Sequence, residues 1–376
     1  MPAKRILLMH ISKVSGHKSA AQAIEKAAKI LEPDTVISNL NVFDYTNPIT
    51  SAVVNFIYLH IIQRMPFIWR YLYDNQKFIK RTEKTKYAIH RINAPKLKAI
   101  LDNFHPGVIA CSQAYPCGII ADLKKMYKLN IPLVAILTDY VPHSYWIYDT
   151  VDYYIVPSED IKRRLAEKGV DPEKIRPLGI PIDPKFNSPL NRQESKLKLG
   201  LALDAPVVLI MGGSHGLGPL KQVIHQLDES KIDFQEIVVT GINKKLFNHL
   251  SSNINNFKKT IKIYAYADNI DELMSLSDVI ITKPGGVTVS EALTMGLPML
   301  ILRPIPGQED NNTVYLIQHG AAIKADEPKK IKEIVEELFS HPEKLKQLSS
   351  QALGMSKPEA SMDIARLLLG LCENQP

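Results

Sequence analysis

A chain of 376 residues is long for one domain and sufficient for two, each with its own core. Hydrophobic residues at 45% and charged residues at 23% are ordinary for a soluble globular protein, and three cysteines exclude a disulfide framework. The net charge of +7 is unevenly placed: residues 1–183 carry 25 Lys and Arg against 17 Asp and Glu, residues 184–376 carry 21 against 22.

The opening MPAKRILLMH has no cleavable signal pattern, because its apolar run is short and no small-residue cleavage site follows. It reads instead as a strand near 5–10, followed by a loop, Ile11 to Ser19, and a helix beginning at AAQAIEKAAKIL. Gly16-His17-Lys18-Ser19 has the outline of a P-loop. The required earlier glycine is missing, however, and a histidine splits the Gly-Lys pair, which excludes that motif. The absence of G-x-G-x-x-G removes a dinucleotide oxidoreductase. What remains is His17 in a strand-to-helix loop, where an imidazole suits removal of a proton from an attacking hydroxyl. A capping or surface histidine is the plainer alternative.

After a strand near 35–40 comes ITSAVVNFIYLHIIQRMPFIWRYLY, residues 49–73, too interrupted by Asn55, His60, Gln63 and Arg64 to span a bilayer. Residues 64–98 hold ten basic side chains and two acidic ones. Aromatics beside cations, with Phe67, Trp69, Arg70, Lys77, Lys80 and Arg81 the principal candidates, suit a segment lying among anionic headgroups. A helix pair packed on the first sheet, a solvated helix face or a nucleic-acid patch are the competing readings. Strands follow near 107–111, 133–138 and 152–156, and all three cysteines, Cys111, Cys117 and Cys372, read as reduced, buried thiols. At the end of LVAILT stands Thr138-Asp139-Tyr-Val-Pro-His143-Ser-Tyr-Trp146, a second polar cluster.

Pro177 to Pro184 is proline-rich and reads as a stiff hinge. Beyond it strands are expected near 207–211, 236–240, 261–264, 278–282, 298–302 and 321–323. Continuous apolar strands alternating with helices predict parallel sheets covered on both faces. The expected class is therefore α/β, two Rossmann-like doubly wound domains, 1–183 and 184–376, facing a central cleft. The last helix, about 357–370, is allowed to pack back on the first domain. Three loops follow second-domain strands. The first contains Gly212, Gly213, His215 and Gly216, whose backbone can approach a diphosphate closely, although a tight connection alone would also use glycine. The second, Lys283-Pro-Gly285-Gly286-Val-Thr288-Val-Ser290-Glu291, offers hydroxyls and N–H groups for phosphate and a carboxylate for a ribose; a helix-capping glutamate is the alternative. The third, running from Pro304 through Gln308 and Glu309 to Asn312, has the mixed donors and acceptors that sugar hydroxyls need; a merely solvated loop is the alternative.

KPGGVTVSEA at 283–292 and PGQEDNN at 306–312 together resemble the donor-binding signature of the monogalactosyldiacylglycerol synthase and processive diacylglycerol glucosyltransferase family. The resemblance implies a GT-B fold and direct transfer, with inversion, of a hexose from UDP-glucose or UDP-galactose to diacylglycerol. It implies that Glu291 holds the ribose and that Gly285, Gly286, Thr288 and the 212–216 loop hold the diphosphate. Gln308 and Glu309 would face the sugar, and Tyr266 in YAYAD would flank uracil, a core aromatic being the plainer alternative. In the first domain it implies a loop ending in Gly16-His17, with Val14 and Ser15 where the family commonly has glycine. Asp139 would orient His17 or act as the base itself, and His143 and Trp146 would line the acceptor entrance; Tyr148 replaces a family histidine. No Asp-x-Asp triplet is present, so neither a metal nor another cofactor is expected. The expected setting is the cytoplasmic face of a membrane, bound peripherally through anionic phospholipid, with no nucleic acid. Rival readings are a transferase to an isoprenoid-linked acceptor, a UDP-N-acetylglucosamine 2-epimerase, and a non-catalytic UDP-sugar-dependent membrane regulator.

Overall fold

The computed structural model describes residues 3–12, 14–45, 76–188, 190–302, 304 and 307–373, without the side chains of 76–86. The chain divides into two compact units. One comprises Met1–Pro184, Pro306–Gln308 and Lys357–Pro376; the other comprises Lys185–Ile305 and Glu309–Ser356. The aromatic-basic stretch 49–73, with Phe67, Trp69 and Arg70, lies outside the described residues.

In the first unit, strands β1 (Arg5–His10), β2 (Val36–Asn41), β3 (Val108–Cys111), β4 (Leu133–Ile136), β5 (Tyr153–Ile155) and β6 (Ile175–Arg176) form one sheet in the order β2-β1-β3-β4-β5-β6. Every pairing is parallel. Helices α1 (Gly16–Leu31), α2 (Gln76–Phe104), α3 (Ala114–Tyr127) and α4 (Glu159–Glu167) make the connections. β6 is only two residues long, too short to leave a hydrophobic run in the sequence, and it precedes the proline-rich segment directly. α1 presents small buried residues, Ala20, Ala21, Ala23, Ala27 and Ala28 around Ile24, which let it lie close to its neighbours. One of those neighbours is the C-terminal helix Ala360–Glu373, whose Ile364, Ala365, Leu368 and Leu369 complete the same core. Each fully buried large aliphatic side chain there contributes about 1.5–3 kcal/mol.

The 177–184 segment is fastened within this unit. Ile180 and Ile182 are buried, and Ser361 Oγ donates a hydrogen bond to the Ile182 carbonyl. α2 is tied to α3 by the buried His90, whose Nδ1 lies 2.6 Å from Asp122 Oδ2. Cys111 and Cys117 are buried free thiols; Cys372, against the expectation, is only half-buried, at the C-terminal end of its helix beside Gly107 and the Arg5 carbonyl.

The second unit has its own parallel sheet: β7 (Val207–Met211), β8 (Gln235–Val239), β9 (Ile261–Tyr264), β10 (Val279–Thr282), β11 (Met299–Leu302) and β12 (Ala322–Ala325), in the order β12-β11-β10-β7-β8-β9. Around it lie α5 (Arg192–Lys198), α6 (Leu220–Asp228), α7 (Lys244–Ser252), α8 (Ile270–Ser275), α9 (Gly286–Thr294), α10 (Gln308–Gln318), α11 (Pro328–Ser340) and α12 (Pro342–Met355). Val208, Ile210, Val238, Val279, Ile281 and Leu300 from the sheet pack with Val223, Ile224, Leu227, Ile331 and Val335 from α6 and α11.

Strand order places the functional loops. In the first unit the chain passes from β1 outward to β2 and returns on the other side of β1 as β3. In the second it passes from β7 to β8 and β9, then returns beside β7 as β10. Each reversal leaves two loops diverging from adjacent strand ends, and in open α/β sheets ligands bind in that crevice. The β1 loop carries His17, and the β7 and β10 loops carry the two glycine clusters. No helix among the described residues is long and apolar enough to cross a membrane.

Candidate active site

In the first unit His17 is the second residue of α1, one position after Gly16. The helix starts where it does because Ser15 is extended and its Oγ accepts a hydrogen bond from Lys18 N at 3.3 Å, an N-cap. Serine in place of a family glycine therefore has a structural use. Ser12, earlier in the loop, takes a left-handed conformation with φ 71°. His17 is tied to two other strand ends. Ser112, just after β3, donates Oγ–H to the His17 carbonyl at 2.8 Å, and Thr138 Oγ1, after β4, lies 2.9 Å from His17 Nδ1.

Burial pushes the His17 pKa down to about 4; the Ser112 backbone acceptor opposes this, and the neighbouring His10 adds to the depression. Part of the residue's surface remains accessible, so the effect comes from crowding by protein rather than complete occlusion. The ring is therefore neutral across the physiological range, the state required of a proton acceptor. His10 behind it is buried, its pKa also lowered chiefly by burial, and its Nδ1 has no hydrogen-bond partner among the described residues.

Asp139 follows Thr138 and is half-buried, but the hydrogen bond to the His17 ring is made by Thr138. His143 and Trp146, expected at an acceptor entrance, are 7% and 3% exposed, with ring centroids 6.0 Å apart. They form packed wall rather than an open surface, because the loop folds into a short 3-10 turn at Ser144–Trp146 that turns them inward. Lys77, Lys80 and Arg81 lie in α2, where their side chains are outside the description.

In the second unit the β7 and β8 loops are laced together. Ile242 N donates to the Ser214 carbonyl at 2.9 Å, and Asn243 Nδ2 donates to the Gly216 carbonyl at 3.3 Å. Gly216 has φ +57°, and a Cβ there would lie 2.1 Å from the Thr240 carbonyl oxygen. Only glycine admits that approach. Gly213, at φ +66°, is overlaid by Lys283, whose Cε would stand 2.8 Å from an added Cβ. Lys283 then reaches Glu309 Oε1 at 2.5 Å. Gly212 belongs to the same loop, and the His215 pKa is lowered by burial and, less, by the Lys283 charge. An open depression of about 460 Å³ adjoins it, lined by Gly216, Gly218, Lys221, Gln222 and Asn243 among others.

Gly285 is the N-cap of α9 and Gly286 its first residue, so the helix's free N–H groups open toward the β7–β10 reversal. Thr288 is in the first turn and half-buried; Glu291 is in the second turn and half-buried. Ser290 is 8% exposed, so its hydroxyl is not presented on the surface with that of Thr288, since the helix turns it toward the core. Tyr266 follows β9 and is 57% exposed, an aromatic face open to a planar ligand rather than a core residue.

Gln308 opens α10 and is half-buried, whereas Glu309 is 7% exposed and takes up the Lys283 charge. Asn312 is fully buried, and its Nδ2 donates to the Pro284 carbonyl at 3.0 Å. Asn312 thus braces the β10 loop instead of offering its amide to a sugar, because α10 packs directly beneath that loop. No group of three His, Cys, Asp or Glu among the described residues is arranged to hold a metal ion. The sequence reading missed Thr138, Ser112 and Asn243. Thr138 was signalled only by its place beside Asp139, and Ser112 and Asn243 only by standing just past strands.

Two family models match the chain: monogalactosyldiacylglycerol (MGDG) synthase over residues 17–182, and the glycosyltransferase family 28 C-terminal domain over residues 207–364. A processive diacylglycerol beta-glucosyltransferase of Bacillus cytotoxicus is 30% identical over 369 residues, covering 97% of this chain and 93% of that protein. Among solved structures, Acinetobacter baumannii MurG superposes with a TM-score of 0.61 at 14% identity, covering 97% of this chain and 99% of its own. The UDP-GlcNAc 2-epimerase of Neisseria meningitidis, bound to UDP-GlcNAc, gives 0.62 at 16% identity, covering 97% and 100%. The fold is accordingly GT-B, shared by transferases and epimerases, and fold alone does not separate them. Sequence similarity does, because it spans 97% of the chain and both units: the chain belongs to the monogalactosyldiacylglycerol synthase and processive diacylglycerol glucosyltransferase family of family 28 glycosyltransferases.

Proposed function

We propose that this chain is an inverting glycosyltransferase that moves a hexose from a UDP-sugar to diacylglycerol, with UDP-glucose as donor. The observation that carries this reading is the similarity, over 369 residues, to a processive diacylglycerol beta-glucosyltransferase. In the proposed reaction His17 accepts the proton of the acceptor hydroxyl as that oxygen attacks the anomeric carbon. The bond to the UDP β-phosphate oxygen breaks, and its electron pair leaves with UDP. The N-terminus of α9 and the 212–216 loop stabilise the departing diphosphate electrostatically, Glu291 takes the ribose hydroxyls, and Tyr266 stacks on uracil. Gln308 contacts the transferred sugar. Lys77, Lys80, Arg81 and the 49–73 stretch belong to the same proposal as the contact with an anionic membrane surface. No metal or other cofactor takes part.

The test is UDP release from UDP-glucose and from UDP-galactose, each with and without diacylglycerol in anionic vesicles, followed by chromatography of the lipid. Lipid-dependent release with one donor and a glycolipid product supports the reading and names the sugar. Release that ignores the lipid overturns the acceptor, and absence of UDP binding overturns the donor half. Parallel His17→Ala and Asp139→Asn variants identify the base: the one that loses turnover while retaining UDP affinity carries that role.

A further inference from the structure

We propose that Thr138 is a positioning residue for proton transfer: its hydroxyl oxygen accepts Nδ1–H of His17 and so leaves Nε2 bare toward the acceptor. This rests on the reading of His17 as the base. The contact is Thr138 Oγ1 to His17 Nδ1, 2.9 Å, between residues 121 apart in sequence. A neutral imidazole has one N–H and one bare nitrogen, and the hydrogen bond at one nitrogen decides which is which. A ring accepting from Thr138 at Nδ1 would present Nε2–H to the substrate hydroxyl, donor against donor, and no proton would move. With Nδ1–H donated to Thr138, Nε2 is free to accept, and the same hydrogen bond persists when the ring becomes imidazolium.

Three features suit Thr138 to this task. It is 4% exposed, so water does not compete for its oxygen. It is β-branched, with a restricted χ1, so the oxygen is held in place. Its oxygen is uncharged, so it orients the ring without the opposite charge that would hold a proton on it; a carboxylate in that position would raise the ring's affinity for protons. Ser112 holds the His17 main chain, donating Oγ–H to its carbonyl at 2.8 Å, and its own main-chain carbonyl is a second acceptor beside the ring. The base is thereby tied down from the ends of β3 and β4, while its own loop contributes the Ser15 cap.

The test compares Thr138→Val, which keeps the shape and removes the oxygen, with Thr138→Ser, which keeps the oxygen. Transfer to diacylglycerol in vesicles is measured beside UDP affinity and the ring nitrogen NMR spectrum of 15N-histidine protein, with His17 assigned by its disappearance in His17→Gln. The expected result is a kcat lowered roughly 10–100-fold in Thr138→Val, a part of the 10²–10⁴-fold that a general base supplies. KM for the donor should stay within about two-fold, and Thr138→Ser should recover most of the rate. The wild-type spectrum should show His17 protonated at Nδ1, with that preference lost in Thr138→Val. Unchanged kcat in Thr138→Val, a Thr138→Ser variant as slow as Thr138→Val, or a wild-type ring protonated at Nε2 overturns the proposal. If the wild-type chain transfers no sugar, the functional reading fails, and the tautomer measurement alone still decides the contact.

Discussion

Glu236 provides a quantitative test of the second unit's packing. It stands on β8, 1% exposed, and neither carboxyl oxygen has a hydrogen-bond partner among the described residues. Burial raises its pKa from 4.5 to about 8; the Asp228 charge adds to the rise and Lys259 opposes it. An acid whose folded pKa lies above its unfolded value binds more protons when folded, so stability falls as pH rises. The loss begins near pH 4.5, grows by about 1.4 kcal/mol per pH unit, and is complete above pH 8. At pH 7 it amounts to something on the order of 3 kcal/mol. Glu236→Gln keeps the shape and abolishes the titration, so it should stabilise the unit, and more at higher pH. Calorimetric unfolding of the full chain should show the variant level with wild type near pH 4.5 and about 6–12 °C higher at pH 7 in the transition of this unit. Hydrogen exchange across β7 to β9 assigns that transition. A gain of equal size at pH 4.5 and pH 8.5, or none at either, refutes a buried neutral carboxyl.

The remaining expectations concern the two site halves. Gly216→Ala forces a Cβ against the Thr240 carbonyl at a left-handed φ and should cost the second unit about 2–4 kcal/mol, with UDP affinity in calorimetry falling at least about ten-fold. Gly285→Ala, where a Cβ meets nothing within 4 Å, should leave unfolding nearly unchanged. Lys283→Met removes the ion pair to the nearly buried Glu309 and should destabilise by about 2–3 kcal/mol, less than a fully buried pair because Lys283 is partly exposed; adding Glu309→Gln should restore most of the stability in urea titrations. The pH profile of kcat/KM should stay level from pH 8 down to 6 and fall only toward pH 4, where His17 gains its proton. An acid limb centred near 6.5 would mean an unburied ring or another base.

The sequence by itself determined the class of fold and the strands other than the two-residue β6, because parallel strands covered on both faces must be continuously apolar and leave runs such as VVLIM and VIIT. It also singled out the candidate loops, since Gly-rich turns after such runs, and a histidine at a helix start, are local patterns. Even Gly213 and Gly216 were legible as candidates, although not the reason for them. Tertiary structure alone decided which strand neighbours which, and therefore that the β7 and β10 loops diverge from one reversal point and that His17 stands at another. It placed differently residues to which loop composition, and for His143 and Trp146 the family resemblance, had pointed. Asn312 looked like a sugar contact and is a brace under Pro284; His143 and Trp146 looked like an entrance and are packed wall. It brought Thr138 to His17 across 121 residues, a pairing that no spacing encodes. Local pattern records what each segment must bury or leave open, whereas hydrogen bonds between distant side chains depend on strand order, and strand order is fixed only when the sheet assembles.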